Sequence, residues 1–271
     1  MKATDAGVCK PETWDDIVND HPKFPELMAK WLRLIGVLLQ STEALEGDDL
    51  GLLISGFMFA SAVDINDVLT LTHRNSRSGA PKLLRSAYER IVTMKYLAAN
   101  PTEVPKFIGY QSIDRQQIID ECASKLGEDL TEPARSNLAN AAKQARQEYK
   151  AEVCPHCNMR KQTNWTPRTV KQLADATGMS HMHFHSYVLP SKMMHTTFYG
   201  TMEFMKSAAP TYNILNCAHE LIVHNVLTHR RHFAKAEYQP TPMMKEVAED
   251  YLRIWVYAET SFEGMLLPVR S

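Results

Sequence analysis

Two short patterns in the sequence bring together side chains that could bind phosphate and move a proton. Arg85 and Glu89 are four residues apart, and Tyr187, Ser191 and His195 follow one another at intervals of four. Residues four apart lie on the same side of an α-helix, so each set faces one direction. A guanidinium held by a carboxylate can bind phosphate through two parallel hydrogen bonds, and an imidazole can exchange a proton near neutral pH.

The helix that carries Arg85 and Glu89 is predicted to pack on two sides. One apolar face contains Leu84, Ala87, Ile91, Met94 and Ala98, and the opposite stripe contains Arg85, Glu89, Val92 and Tyr96. A helix with two partly apolar faces lies between neighbours, so we expect the charged pair to be at least half buried. Arginine before glutamate is the weaker order for stabilising an exposed helix. A structural salt bridge between helices and a guanidinium aimed into a cleft both stay open.

The later pattern contains a proline that limits its geometry. Ser191 is placed to hydrogen-bond His195 or to offer its own hydroxyl. Pro190 fits the first turn of a helix but not its interior, so the helix either starts close to Pro190 or is kinked there. In the first case Ser191 and His195 stay in register, whereas Tyr187 need not.

The two patterns together resemble a widespread bacterial helical family of unknown function. Its members share R-S-x-x-E on one helix and Y-x-x-x-S-x-x-x-H on a later one, after a W…L-A…G lead-in. The matching residues are Arg85, Ser86 and Glu89, then Trp165, Leu173, Ala174 and Gly178, then Tyr187, Ser191 and His195, and the likeness covers roughly Leu52 to Tyr199. The resemblance implies a helical domain in which the motifs meet, without an established reaction.

A looser analogy, in site chemistry alone, links these residues to the HEPN helical ribonucleases. Those enzymes use an arginine and a histidine on a helical bundle, but their R-x-x-x-x-H hexapeptide is absent here, because Arg90 stands where the histidine would follow Arg85. The analogy therefore concerns chemistry rather than a shared motif.

The first functional hypothesis is a metal-independent ribonuclease, or another phosphodiester-cleaving toxin-like or defence protein. His195 would move protons between the ribose 2′-hydroxyl, the phosphate and the leaving oxygen. Arg85 would stabilise the charge of the transition state and Glu89 would orient it, while Tyr187 and Ser191 would add hydrogen bonds. The expected partner is RNA or another phosphate-containing ligand, and no cofactor is needed.

A metal site is the second hypothesis, because histidines and cysteines cluster in two places. The candidate ligands are His181, His183, His185 and His195, with Cys154, His156 and Cys157 in CPHC. A single C-x-x-C lacks the second ligand pair of a structural zinc site. HELIVH places its histidines one residue too far apart for the H-E-x-x-H zinc helix. We therefore assign no residue as a metal ligand.

A non-enzymatic helical module that binds a partner protein or a small ligand is the third hypothesis. In such a module Arg85, Glu89, Ser191 and His195 would form a buried polar network that specifies helix packing. The residues alone do not choose among the three, and we take phosphodiester cleavage as the working hypothesis.

The overall composition is that of an ordinary globular protein. The 271 residues are 44% hydrophobic and 23% charged with a net charge of −1, so the total charge marks neither a nucleic-acid-binding nor a membrane protein. Basic residues nevertheless dominate from His73 to Lys95. The five cysteines are odd in number and mostly scattered, which favours a reducing compartment, so we expect a cytoplasmic protein. The charge-free apolar run from Leu50 to Val63 is too short to span a bilayer.

Helical spacing of apolar residues runs through almost the whole chain, and no strand alternation is evident. We predict one all-α, bundle-like domain over residues 1–271 with about eight or nine helices. Its family-like core would cover 52–199, with C-terminal helices over 210–264 packing on it. The last of these, from Met243 to Gly264, is amphipathic and could alternatively lie at a homodimer interface.

Overall fold

The computed structural model describes residues 13–41, 47–76, 79–127, 130–148, 165–194 and 211–233. Within these ranges all regular secondary structure is helical. The α-helices there are α1 (Trp14–Asp20), α2 (Phe24–Ser41), α3 (Asp49–His73), α4 (Gly79–Ala99), α5 (Val104–Leu126), α6 (Glu132–Glu148), α7 (Val170–Ala176), α8 (Leu189–Met194) and α9 (Thr211–Phe233). Shorter elements are the 3₁₀ turns Pro101–Glu103 and Ser180–Met182 and the π-helical turn Phe184–Val188. The predicted all-α class with eight or nine helices is confirmed.

The spacing of apolar residues does not predict helix α1, although the residues at its start form a recognisable helix cap. Thr13 and Asp16 form a capping box: the Asp16 carboxylate accepts from the Thr13 backbone N–H at 2.8 Å, and the Thr13 hydroxyl accepts from the Asp16 N–H at 3.3 Å. Each bond satisfies a backbone donor that the first turn leaves unpaired. Threonine followed three residues later by an acid could have located this seven-residue helix.

Contacts divide the chain into two compact units, Met1–Ala98 with Ala174–Ser271, and Ala99–Leu173. In the second unit α5 and α6 form an antiparallel pair. Ile113 on α5 shares a small core with Ala145 near the end of α6, and Asp120 lies 3.9 Å from Arg135 near the start of α6. The one-domain organisation stays a prediction, and the helix expected from Met243 to Gly264 lies outside the described residues.

The first unit is organised around the antiparallel packing of α3 and α9. The Asn225 amide on α9 donates to the Met58 carbonyl on α3 at 3.1 Å, and His232 Nε2 lies 2.9 Å from Asp48 Oδ2 at the start of α3. Helix α2 packs against both, and so does α1. This arrangement buries most of α9, including His219, His224 and His229.

Helix α4 is buried on both of its long sides, as its two apolar faces predict. Leu84, Ala87, Ile91 and Met94 are inaccessible on one side, and Val92 and Tyr96 are buried on the other. Arg90 forms an ion pair with Asp64 on α3, and Lys95 contacts His224 on α9. The helix therefore lies between neighbours and holds its charged side chains close to them.

Helix α3 is long and apolar enough to cross a membrane by length and composition, and it is the one such helix among the described residues. Core helices of water-soluble proteins meet the same criterion. A third of the apolar window is buried within the structure, and Leu52, Phe59 and Val63 are exposed on its outer side.

Candidate functional site

Arg85 and Glu89 on α4 form the predicted pair. Arg85 Nε donates to Glu89 Oε1 at 2.9 Å, and the two side chains are 24% and 39% exposed. Both are thus partly withdrawn from water, as expected for the charged stripe of a sandwiched helix. Glu89 accepts from Nε, so the terminal nitrogens Nη1 and Nη2 carry the remaining donors of the guanidinium.

The guanidinium of Arg85 also contacts the later motif. Its central carbon lies 4.7 Å from the centre of the Tyr187 ring, within the range of a cation–π interaction. Arg85 Nη1 lies 3.7 Å from the Met194 sulfur. Met194 directly precedes His195, which lies outside the described residues. The structure therefore brings the R-S-x-x-E motif to the helix of the Y-x-x-x-S-x-x-x-H motif, as the family resemblance implies.

A π-helical turn positions Tyr187. Gly178, with φ +72°, ends the turn after α7, and the 3₁₀ turn Ser180–Met182 leads into the helical segment that follows. The Leu189 N–H bonds the Phe184 carbonyl five residues back, and α8 then begins beside Pro190. Pro190 has no N–H to continue an α-helical ladder, so the wider turn accommodates it. The helical backbone continues without a break from His183 to Met194, so Pro190 lies within a helix that is widened at the preceding turn rather than at a free helix start.

Ser191 bonds within its own helix. Its hydroxyl donates to the Tyr187 carbonyl one turn earlier, so the hydroxyl proton is used there while the oxygen lone pairs stay available as acceptors. The side chain is half buried. Its predicted partnership with His195 involves a residue outside the described ranges.

Two further residues, which the sequence did not assign to this site, contact the Tyr187 ring. Tyr88 Oη donates to the Met179 carbonyl at 3.1 Å and lies 3.4 Å from His183 Nδ1. The His183 ring stacks on Tyr187 with centroids 5.0 Å apart and planes at 19°. The signal for His183 is present in the sequence, because it precedes Tyr187 by four residues and extends the four-residue series backwards.

A second polar cluster connects α4, α9 and the 3₁₀ turn before Tyr187. His181 Nε2 hydrogen-bonds Glu220 Oε1, and His224 Nε2 lies 3.7 Å from the same oxygen. On the other side of that ring, His224 Nδ1 lies 3.3 Å from Lys95 Nζ. The neutral imidazole of His224 can accept from Lys95 and donate towards Glu220, so it links a half-buried cation to a half-buried anion.

Burial and neighbouring charges set the protonation of this second cluster. Burial, with the positive charge of Arg231 adding to it, lowers the pKa of Lys95 to about 8. Burial also lowers the pKa of His224, although Glu220 opposes the shift. For Glu220 burial alone raises the pKa, but hydrogen bonds from His224 and His181 outweigh it, and the pKa lies below its ordinary value. Sequence spacing missed this cluster because its contacts join distant segments.

The histidines considered as metal ligands have separate surroundings. His181 bonds Glu220, His183 stacks on Tyr187, and exposed His185 makes an edge contact with Phe184. Within the described ranges no three His, Cys, Asp or Glu side chains are arranged to hold a metal ion. The remaining candidates, His195 and the Cys154, His156 and Cys157 group, lie outside those ranges.

Comparison with known proteins identifies the family. A model of the "Family of unknown function (DUF5677)" matches residues 53–211, which is more than half of the 271 residues and close to the stretch from Leu52 to Tyr199 that carries the resemblance. No curated protein and no solved structure matches the chain. The analogy with HEPN ribonucleases stays a hypothesis. The chain therefore belongs to the family of unknown function DUF5677.

Proposed function

We propose that this protein cleaves RNA phosphodiester bonds without a metal ion, in a site formed by the Arg85 and His195 motifs. The observation that carries the proposal is the placement of the Arg85 guanidinium between Glu89 and the Tyr187 ring, next to the residue that precedes His195. This arrangement holds a cation at a fixed position against the motif that ends in His195, the candidate proton donor and acceptor, which itself lies outside the described residues.

Arg85 is the phosphate-binding group of the proposal. Its Nε is taken by Glu89, and Nη1 has only a thioether sulfur, a weak acceptor, at 3.7 Å. Within the described residues nothing accepts from Nη2. The outer edge of a guanidinium can donate two parallel hydrogen bonds to phosphate oxygens, and these strengthen as charge develops in the transition state. Fixing Arg85 beforehand reduces the entropy lost on binding.

His195 supplies the proton transfer. The ribose 2′-oxygen attacks phosphorus, the bond from phosphorus to the 5′-oxygen breaks, and the products are a 2′,3′-cyclic phosphate and a 5′-hydroxyl. The reaction needs one proton removed from the 2′-hydroxyl and one delivered to the leaving oxygen. Two exposed bases, Arg74 in the turn before α4 and Lys82 on α4, would attract the polyanion and make binding weaken with salt.

The test uses the full chain, a labelled single-stranded RNA and excess EDTA. We expect wild-type protein to cleave the RNA to cyclic-phosphate ends, and His195→Gln to lose at least about 10²-fold in rate with an unchanged melting temperature. His185→Gln, an exposed histidine in the same segment, is the matched control and should keep wild-type activity. Wild-type protein that leaves the RNA intact, or His195→Gln that cleaves at the wild-type rate, would refute the proposal.

A helical module that binds an anionic ligand without cleaving it is the second candidate. The observation in its favour is that the hydroxyls of Ser191 and Tyr88 donate to backbone carbonyls, as in a packing network. This candidate predicts that Arg85→Gln weakens RNA binding while wild-type protein returns the RNA uncut. Cyclic-phosphate products would exclude it.

A further inference from the structure

The outward face of α3 is apolar over most of its length. Six exposed residues of this face follow one another at alternating intervals of three and four, and together they form the α3 seam: Asp49, Leu52, Gly56, Phe59, Val63 and Asn66. Leu52 is 63% exposed, Phe59 61% and Val63 45%. Intervals of three and four are those at which one helix contacts another along a coiled pair.

Charged residues are absent from the middle of the α3 seam. From Leu50 to Val63 the sequence contains no aspartate, glutamate, lysine or arginine. A helix that faces water on one side normally carries polar and charged side chains there. A continuous apolar face on the surface instead marks a contact with another molecule or segment.

Gly56 leaves a gap in the α3 seam. A Cβ atom placed on Gly56 would meet no atom within 4 Å, so the space above the backbone is open. The gap lies between two bulky side chains, with Leu52 one turn before it and Phe59 one turn after it. Glycine in a helix interior destabilises the helix relative to alanine, and it is used where a second surface approaches the backbone closely.

The α3 seam is complementary to itself in the antiparallel orientation. A twofold axis between Phe57 and Met58 places Phe59 of one copy opposite Gly56 of the other, and the symmetry repeats this contact. Each Phe59 ring then fills the gap at Gly56 of the opposite copy. Such a contact closes after two copies, because both copies use the same surface.

The outer positions of the α3 seam match in the same register. Leu52 lies opposite Val63 of the second copy, so apolar side chains meet on both sides of the central pairs. Asp49 lies opposite Asn66 of the second copy, where the amide N–H groups can donate to the carboxylate. A single register therefore satisfies all six positions without opposing like charges, and this identifies a second copy of the chain as the partner.

We propose that the α3 seam is a homodimer interface, in which two copies of α3 pack antiparallel with Phe59 of each copy in the Gly56 gap of the other. One pair of helices buries less than about 1,200 Å² of surface. The dimer is therefore weak, with a Kd on the order of 10 μM, and the protein exchanges between monomer and dimer. Dimerisation through α3 is independent of whether the protein cleaves RNA.

Sedimentation equilibrium of the full-length protein measures the dimer directly. We expect wild-type protein to pass from monomer to dimer between about 1 and 200 μM, and Phe59→Glu to stay monomeric with an unchanged melting temperature. Ile118→Glu replaces a side chain of equal exposure, 61%, on α5 and should dimerise like the wild type. Wild-type protein that stays monomeric, or Phe59→Glu that dimerises like the wild type, overturns the proposal.

An exchange of the central pair tests the register. Gly56→Phe makes the α3 seam more apolar but fills the gap, so the dimer should weaken by about 10²-fold. Adding Phe59→Gly opens a gap opposite the new ring and should return the Kd to within about 10-fold of the wild-type value. Non-specific apolar association predicts instead that Gly56→Phe associates more tightly than the wild type. That result, or a double variant as weak as Gly56→Phe, also overturns the proposal.

Two other occupants of the α3 seam would give different results. If a further segment of the same chain covers it, wild-type protein is monomeric and Phe59→Glu lowers the melting temperature. If lipid covers it, monomeric wild-type protein sediments with vesicles of phosphatidylcholine and phosphatidylglycerol, whereas Phe59→Glu does not. Either result overturns the homodimer.

Discussion

The Arg85 guanidinium lies 4.7 Å from the centre of the Tyr187 ring, so the R-S-x-x-E motif on α4 contacts the later motif directly. Arg85 alone, on an exposed helix, would be a surface cation of little consequence. Against Tyr187 and Glu89 it becomes a fixed positive charge in a partly dry environment.

Glu89 is expected to act on the reaction through Arg85 rather than on stability. Glu89→Gln removes the charge that holds Nε, so Arg85 samples more orientations and RNA cleavage should slow by about 10-fold. The free energy of unfolding should change by less than about 1 kcal/mol, because Glu89 is 39% exposed. Glu121→Gln removes an exposed partner of Lys125, also four residues away, and should change neither quantity. Equal rates for the two variants would contradict the orienting role.

The ion pair between Arg90 and Asp64 is predicted to be structural. Asp64 is 12% exposed and Arg90 36%, so Arg90→Met leaves a carboxylate largely buried without its partner. We expect a loss of about 2 kcal/mol in the free energy of unfolding, measured by urea titration. Adding Asp64→Leu to Arg90→Met should recover most of that loss. Lys30→Met, which breaks the exposed pair with Glu26, should leave the free energy of unfolding unchanged within the error of the titration. A double variant no more stable than Arg90→Met would rule out this account.

Acid should destabilise the protein through two buried histidines of α9. Burial lowers the pKa of His219 to about 4 and, together with the charge of His232, that of His229 to about 4. The unfolded chain binds these protons near pH 6.5, so the folded state loses stability as pH falls from about 6.5 to 4. Each group contributes a slope of up to about 1.4 kcal/mol per pH unit.

Substitution of His219 tests this linkage. His219→Gln removes one of the two groups. Between pH 6.5 and 4.5 the slope of the unfolding free energy against pH should therefore decrease by the amount that corresponds to about one bound proton. His185→Gln, at an exposed position, should leave the slope as it is in the wild type. An unchanged slope in His219→Gln would mean that burial of this imidazole does not govern the acid response.

Lys95 is predicted to influence the titration of His224. The Lys95 ammonium, 3.3 Å from His224 Nδ1, contributes to the lowered pKa of that imidazole, although burial is the larger cause. Lys95→Met should therefore raise the pKa of His224 in an NMR titration, while leaving it below the ordinary histidine value. Lys30→Met removes one positive charge at an exposed position of α2 and is the charge-matched control. A pKa that falls or stays fixed in Lys95→Met would remove Lys95 from the network.

The local spacing of apolar residues was sufficient to predict most of the helices and the burial of α4 on two sides. The apolar spacing around Leu84 and Val92 fixes two buried faces, and the burial of Arg85 follows from its place between them. The π-helical turn could not be predicted, because Pro190 permits both a kink and a helix start, and packing chooses between them. Tyr88 and His183 contact each other although they lie almost a hundred residues apart in the sequence. Spacing along one helix carries no information about such a contact.

The single-turnover rate of RNA cleavage by Arg85→Gln tests the central claim most directly. Arg33→Gln, which removes an exposed arginine from α2, is the matched control for the loss of one positive charge. We predict that Arg85→Gln cleaves about 10²-fold more slowly than Arg33→Gln at saturating enzyme, with equal melting temperatures. Equal rates for the two variants would contradict the assignment of Arg85 as the group that stabilises the transition state.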